Sequence, residues 1–315
     1  MTCTCTKNNT EFFRDFELRN FNTLKISSKA DLVFFVKNEA EICTIFQTYK
    51  NAIMLGAGSN VLLSSNGIRQ PVIITKNMCE ISFRRDCVEI EAGAKTQKVS
   101  LEAYNNSLSG FEFLIGIPST LGGAVAMNAG AHGQTISDKL VNARIYDTKE
   151  NKIITLSKEE LNFSYRNSLI KKNEGRYVVL SAKFALEKDD KQKIKAQMDK
   201  NTEFRKKVQP SLALPNLGSV FKNPTLPDGS TISAGMLVDK CGLKDFHVGN
   251  AGVWARHGNF VINFLNCTSY EYLQVLYKMY TSVKEKFNIE LQCEIVRAGE
   301  FSEAEDEIWR VIKKD

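Results

Sequence analysis

Histidine, tryptophan and proline are scarce in this sequence, with three, two and six copies in 315 residues. Three histidines offer little for a zinc site when the eight cysteines contain no C-x-x-C pair. Nor can a Ser/His/Asp arrangement be assembled from histidines at these positions. No run of about 18 apolar residues occurs, and the N-terminus lacks the apolar core of a signal peptide. Only Cys3 and Cys5 are close together; Cys43, Cys79, Cys87, Cys241, Cys267 and Cys293 are scattered and read as reduced thiols. A cytoplasmic protein without a metal or a membrane partner is expected.

What remains is ordinary for a globular chain, 43% hydrophobic and 25% charged. The length suits two or three domains. The net charge of +6 comes largely from Lys-rich stretches such as 188–207. That stretch reads as a solvated helix face, and such a charge suits phosphorylated substrates as well as nucleic acid.

The stretch 110–133, GFEFLIGIPSTLGGAVAMNAGAHG, is the centre of the chain. Gly and Pro are costly in helix and central-strand interiors, so an irregular segment is expected. Gly122, Gly123 and Gly130 put no Cβ in the way and allow φ > 0. The segment is either a plain Gly-rich connection or a ligand cradle. It is too apolar for a solvated surface loop.

Residues 1–20 are polar and are expected to fray. Asp31 to Val36 reads as a buried strand, and Asn38 with Glu41 opens a helix. Ala52 to Leu55 is a strand running into Gly56-Ala57-Gly58-Ser59-Asn60. Val61 stands where a dinucleotide fingerprint needs its third Gly, so this is not a Rossmann turn. A different phosphate-binding turn and a plain turn both remain open. Further strands are expected at Val72–Thr75, Val88–Ala92, Ala143–Asp147, Lys152–Leu156 and Tyr177–Leu186. Ser157 and Glu160 pattern as a capping box for a short helix. The charged stretch 188–207 reads as a surface helix joining two domains, ended by Pro210. In the last third, Ile232–Cys241 is helical, Thr268 and Glu271 cap a long helix, and Ile289–Arg297 alternates as a strand. Strands and helices mix without strict alternation, so the class is α+β.

Single residues read weakly. Arg166 beside Tyr165 fits either a carboxylate clamp or a surface ion pair. Ser219 fits a turn, Glu294 a solvated strand face, and His132 and His257 core or surface positions.

As a set, GAGSN at 56–60, PSTLGGAVAMNAGA from Pro118, YRNS from Tyr165, GSVFKNP from Gly218 and the Glu294 strand resemble the UDP-N-acetylenolpyruvoylglucosamine reductase family. The resemblance runs from about Asn22 to Gly299. It implies the vanillyl-alcohol-oxidase/PCMH-type FAD-binding fold, with two α+β subdomains at 1–75 and 76–208. A substrate domain would follow at 209–315, its last residues either staying with it or returning to the first subdomain. It further implies non-covalent FAD on Gly56, Ala57, Gly58, Ser59, Asn60, Pro118, Ser119, Thr120, Gly122, Gly123, Ala124, Asn128 and Gly130. Arg166, Ser219 and Glu294 match the catalytic positions, and Tyr165, Lys207 and Asn223 the substrate contacts. The implied reaction takes hydride from NADPH through FAD to the enolpyruvyl group of UDP-N-acetylglucosamine-enolpyruvate, giving UDP-N-acetylmuramate for peptidoglycan. Ser219 would protonate C2, and Glu294 would assist if burial raised its pKa. No nucleic-acid partner is implied. Ser119 and the HGNF run from His257 depart from the family's usual residues, and the short gap between Arg166 and Ser219 resembles the subtype lacking an extra tyrosine loop. The competing enzyme reading is a sugar or alcohol oxidase on the same fold.

Overall fold

The parallel strands Lys29–Phe35, Val72–Ile74 and Ile53–Leu55 form where the apolar runs place them. Val33 registers with Val72, and Ile53 registers with the same residue from the other side. The helix Glu39–Thr48 crosses between the outer two. Asn38 caps it by accepting from the Glu41 N–H at 3.0 Å, while Glu41 accepts from the Lys37 N–H at 2.8 Å. Its Ile42, Ile45 and Phe46 enter a core with Phe34, Ile73, Tyr146 and Leu180.

In this computed structural model residues 10–84 and 87–313 are described, so Cys3 and Cys5 lie outside the described residues. Two compact units result. One holds residues up to 14, 32–57 and 70–205; the other holds 15–31, 58–69 and 206–315.

Besides the parallel strands, the first unit contains a five-stranded antiparallel sheet. Its order is Lys152–Ser157, Leu140–Asp147, Tyr177–Ala185, Cys87–Glu91, Ile81–Arg84. The helices Thr96–Asn105 and Leu121–Ala126 pack into its core with Phe111, Phe113, Leu114 and Phe184. The second unit has a four-stranded sheet ordered Asn216–Ser219, Phe260–Asn263, Ala251–Val253, His247–Val248. Against it lies Ser269–Phe287, whose Leu273, Leu276, Tyr280 and Val283 are buried and whose Thr268–Glu271 capping box is formed. Val61–Leu63 pairs in parallel with Val296–Ala298.

Four expectations are corrected. The polar N-terminus does not fray through residue 20, because Glu11–Glu17 is an edge strand beside Lys29–Phe35, the fourth strand of the sheet that holds the three parallel ones. The Gly-rich stretch contains a short helix, Leu121–Ala126, despite Gly122 and Gly123. A Cβ on Gly122 would stand 3.0 Å from the Ala92 Cβ, so close packing outweighs the helix propensity lost. Neither glycine nor Gly130 takes positive φ; that conformation falls to Asn128, His132 and Gly133. Ser157 and Glu160 do exchange their capping hydrogen bonds, but they close a turn and no helix follows. Finally, Ile289–Arg297 alternates in burial as expected, yet only Val296–Ala298 is a strand, with a single bridge from Cys293 to Phe221.

Candidate functional site

In the first unit the glycine-rich stretch and the YRNS motif are fastened together. Ser164 and Asn167 exchange backbone hydrogen bonds at 3.1 Å, making a tight turn with Tyr165 and Arg166 at its centre. Arg166 takes φ 52°, a left-handed conformation that costs a non-Gly residue about 1–2 kcal/mol. The turn is held by hydrogen bonds to the stretch opposite. The Asn128 amide donates to the Ser164 carbonyl at 2.9 Å and the Ser168 hydroxyl to the Ala126 carbonyl at 2.6 Å. Arg166 Nη2 donates to the Gly130 carbonyl at 2.8 Å, with Nη1 3.5 Å from the Asn128 carbonyl. A Cβ on Gly130 would stand 3.3 Å from Arg166 Nη1 and 2.6 Å from the Gln134 carbonyl oxygen. Gly130 therefore leaves room for the guanidinium. Tyr165 is exposed, its ring 5.5 Å from the Arg166 guanidinium carbon.

The two glycine blocks also meet in this unit. A Cβ on Gly56 would fall 2.3 Å from Thr120 Oγ1, and one on Gly123 would fall 3.2 Å from Ser119 Oγ. The Leu121 and Gly122 N–H groups donate to the carbonyls of Ala94 and Ala92, both at 2.8 Å, so they fix the segment to the sheet. Pro118, Ser119, Gly122, Gly123 and Gly130 are half-exposed, whereas Thr120, Ala124 and Asn128 are buried. Asn128 Oδ1 has no donor among the described residues.

The second unit gathers Gly58, Asn60, Ser219 and Glu294. Gly58 adopts φ 59°, with a Cβ position only 2.6 Å from the Phe21 carbonyl oxygen, so glycine is required there. Its carbonyl accepts from the Thr23 N–H at 3.2 Å, and the Thr23 hydroxyl donates to the Asn216 carbonyl at 2.7 Å. Ser219 ends the strand Asn216–Ser219 and is half-exposed. The Glu294 N–H donates to the carbonyl of Val220, the residue after Ser219, at 2.9 Å. The Asn60 amide donates to the Glu294 carbonyl at 3.1 Å. Asn223 accepts from the Ala234 N–H at 3.1 Å, and Lys207 is exposed.

Sequence reading missed several supporting residues. Thr96 donates its hydroxyl to the Ile117 carbonyl at 2.6 Å, just before Pro118. Asn259 brackets Phe221, accepting from its N–H at 3.0 Å and donating to its carbonyl at 2.8 Å. Thr23, Thr96 and Asn259 carry no periodic signal, because each acts across a long sequence separation. His257 accepts from the Asn259 N–H through Nδ1 at 3.1 Å, and burial lowers its pKa. His132 stands edge-on to Phe204 at 5.3 Å. No cluster of metal-ligating residues occurs among the described residues.

Residues 209–298 match the model of the UDP-N-acetylenolpyruvoylglucosamine reductase C-terminal domain, and residues 30–157 match an FAD binding domain. The reductase of Bacillus pumilus is 37% identical over 90% of this chain and 92% of its own length. That of Enterococcus faecalis is also 37% identical, over 91% and 94%. This chain belongs to the UDP-N-acetylenolpyruvoylglucosamine reductase family. The crystal structure of the Thermus caldophilus reductase agrees, with a TM-score of 0.75, 27% identity and coverage of 92% of this chain and 99% of that one. The fold is accordingly the FAD-binding α+β type followed by the family's C-terminal domain. The residues present fit that cofactor. Gly122, Gly123 and Gly130 leave half-exposed main chain with no side chain over it, and the buried Asn128 Oδ1 is an acceptor with no donor among the described residues.

Proposed function

We propose that this chain reduces UDP-N-acetylglucosamine-enolpyruvate to UDP-N-acetylmuramate, with NADPH as hydride donor. The supporting observation is the anchoring of Tyr165–Ser168 onto Ala126–Gly130, which puts a strained arginine at the border of the glycine cradle. FAD, held on the segments 56–60 and 118–130, would supply hydride to C3 of the enolpyruvyl group. Arg166 would meet the negative charge that develops toward C2 and the carboxylate. Its planar fork suits a carboxylate, and two carbonyl contacts already fix its orientation, so little reorganisation accompanies reaction.

Ser219 would deliver the proton to C2. Its hydroxyl makes no hydrogen bond with the described residues and lies at a half-exposed strand end. A serine hydroxyl is a weak acid, so it needs close positioning and a relay. Glu294 fits that supporting role, because its backbone is tied to Val220 and Asn60. Tyr165, Lys207 and Asn223 would contact the substrate. On this reading residues 1–75 and 76–208 carry the cofactor and 209–315 the substrate.

The purified protein should show the visible absorption of bound flavin. Beyond the one equivalent that reduces the bound flavin, it should consume NADPH only when the enolpyruvyl sugar nucleotide is added, forming UDP-N-acetylmuramate mole for mole. Fast NADPH consumption driven by oxygen alone would favour an oxidase instead.

A further inference from the structure

The helix Lys191–Val208 buries Ile194, Met198 and Asn201 along one face. Burial of the two apolar residues follows from hydrophobicity; burial of Asn201 does not. Asn201 is 3% exposed. Its Oδ1 accepts from Gln197 Nε2 at 2.8 Å, which leaves Nδ2 buried without an acceptor among the described residues. Buried amide donors are nearly always satisfied, so an orphan of this kind calls for a ligand or water.

One turn further on the same face is Arg205, since residues four apart on a helix are neighbours. Its side chain lies along Gly116, in the glycine-rich stretch. A Cβ there would stand 2.8 Å from Arg205 Cδ, 3.6 Å from Nε and 3.7 Å from Nη1. Arg205 has no ion pair or hydrogen-bond acceptor among the described residues. Desolvation alone pulls its pKa down to about 10, with no acid opposing the shift. Lys200 adds positive charge, and both cations lower the pKa of His132 after the effect of burial. A desolvated guanidinium without a counter-charge is unfavourable in the free protein. Its planar fork is well suited to phosphate or carboxylate.

We propose that Asn201 and Arg205 form a receptor for an anionic group of a bound ligand, either a phosphate of the cofactor or an acidic group of the substrate. This rests on the reading of the chain as an FAD-dependent reductase. Arg205 supplies the charge and the fork, and Asn201 Nδ2 supplies a neutral donor one turn away. The ligand's anion completes both.

The test uses Arg205→Met, which keeps the bulk and removes the charge, beside Arg205→Lys and wild type. The apoproteins are melted, titrated with FAD, and then assayed as holoenzymes with the enolpyruvyl substrate. The methionine apoprotein should melt no lower than wild type, because a partly desolvated charge without a counter-charge has gone. Its ligand binding should weaken by about 10- to 100-fold, as expected for one lost charge-assisted contact. Weaker FAD binding assigns the anion to the cofactor; unchanged FAD binding with a raised KM assigns it to the substrate. Lysine should recover part of the loss. Unchanged FAD affinity and KM in Arg205→Met would overturn the proposal, as would a lower apoprotein melting temperature with ligand binding intact. A wild type that neither binds FAD nor turns over would instead remove the functional reading on which the proposal stands.

Discussion

Arg166 combines two features that rarely coincide, a left-handed backbone at φ 52° and a guanidinium fixed to two main-chain carbonyls. Arg166→Lys keeps the charge but loses the fork. Its kcat/KM should fall by roughly 10-fold or more, the equivalent of about 1.5–3 kcal/mol, while flavin content stays normal. Unchanged kcat/KM in steady-state assays would take Arg166 out of the site. Gly130 shares the same geometry. Gly130→Ala puts a methyl group against Arg166 Nη1 and the Gln134 carbonyl, so turnover should drop even where flavin remains bound. Asp147 provides a pH-dependent case away from the chemistry. Hydrogen bonds from Arg176, and from the Lys149 and Glu150 N–H groups, hold its carboxyl below the usual carboxylate range. A depressed carboxylate stabilises the fold above its unfolded pKa, and that contribution is lost as pH falls through the folded value. Asp147→Asn should therefore be less stable than wild type at neutral pH, by about 1 kcal/mol given the partial exposure of Arg176. Urea denaturation should show the difference shrinking below about pH 4.

Among the elements, those with their own local signal were legible. Asn38 with Glu41, and Thr268 with Glu271, both cap the helices their spacing implies. Thr268→Ala should lower stability by about 1 kcal/mol in urea titrations without changing flavin affinity. Elements whose form depends on distant partners were not legible. Ser157 and Glu160 make the same reciprocal bonds as a true helix start, but no apolar repeat follows to bury a helix. The Leu121–Ala126 helix exists because Ala92 and Ala94 take its first N–H groups and because glycine allows close approach. The Ile289–Arg297 alternation is correct in burial, yet its backbone bonds are split among Val220, Gln292 with Lys222, and Asn60.

For the whole molecule, the motif set placed the family, while chain order concealed the grouping of segments. Residues 15–31 and 58–69 belong with 206–315, joined by long-range contacts such as Asn60 with Glu294 and Thr23 with Asn216. No composition shift marks those exchanges. Thr23 shows why, because a single hydroxyl with no pattern around it connects a glycine turn to the strand bearing Ser219. The central claim divides the labour between a cofactor cradle and a proton donor on a separate strand, and Ser219→Ala separates the two. Under anaerobic conditions NADPH should bleach the visible flavin band of the variant at close to the wild-type rate. Addition of the enolpyruvyl substrate should then restore the colour quickly in wild type and scarcely at all in Ser219→Ala. Rapid return of colour in the variant would contradict the account, because the proton would then come from a group other than Ser219.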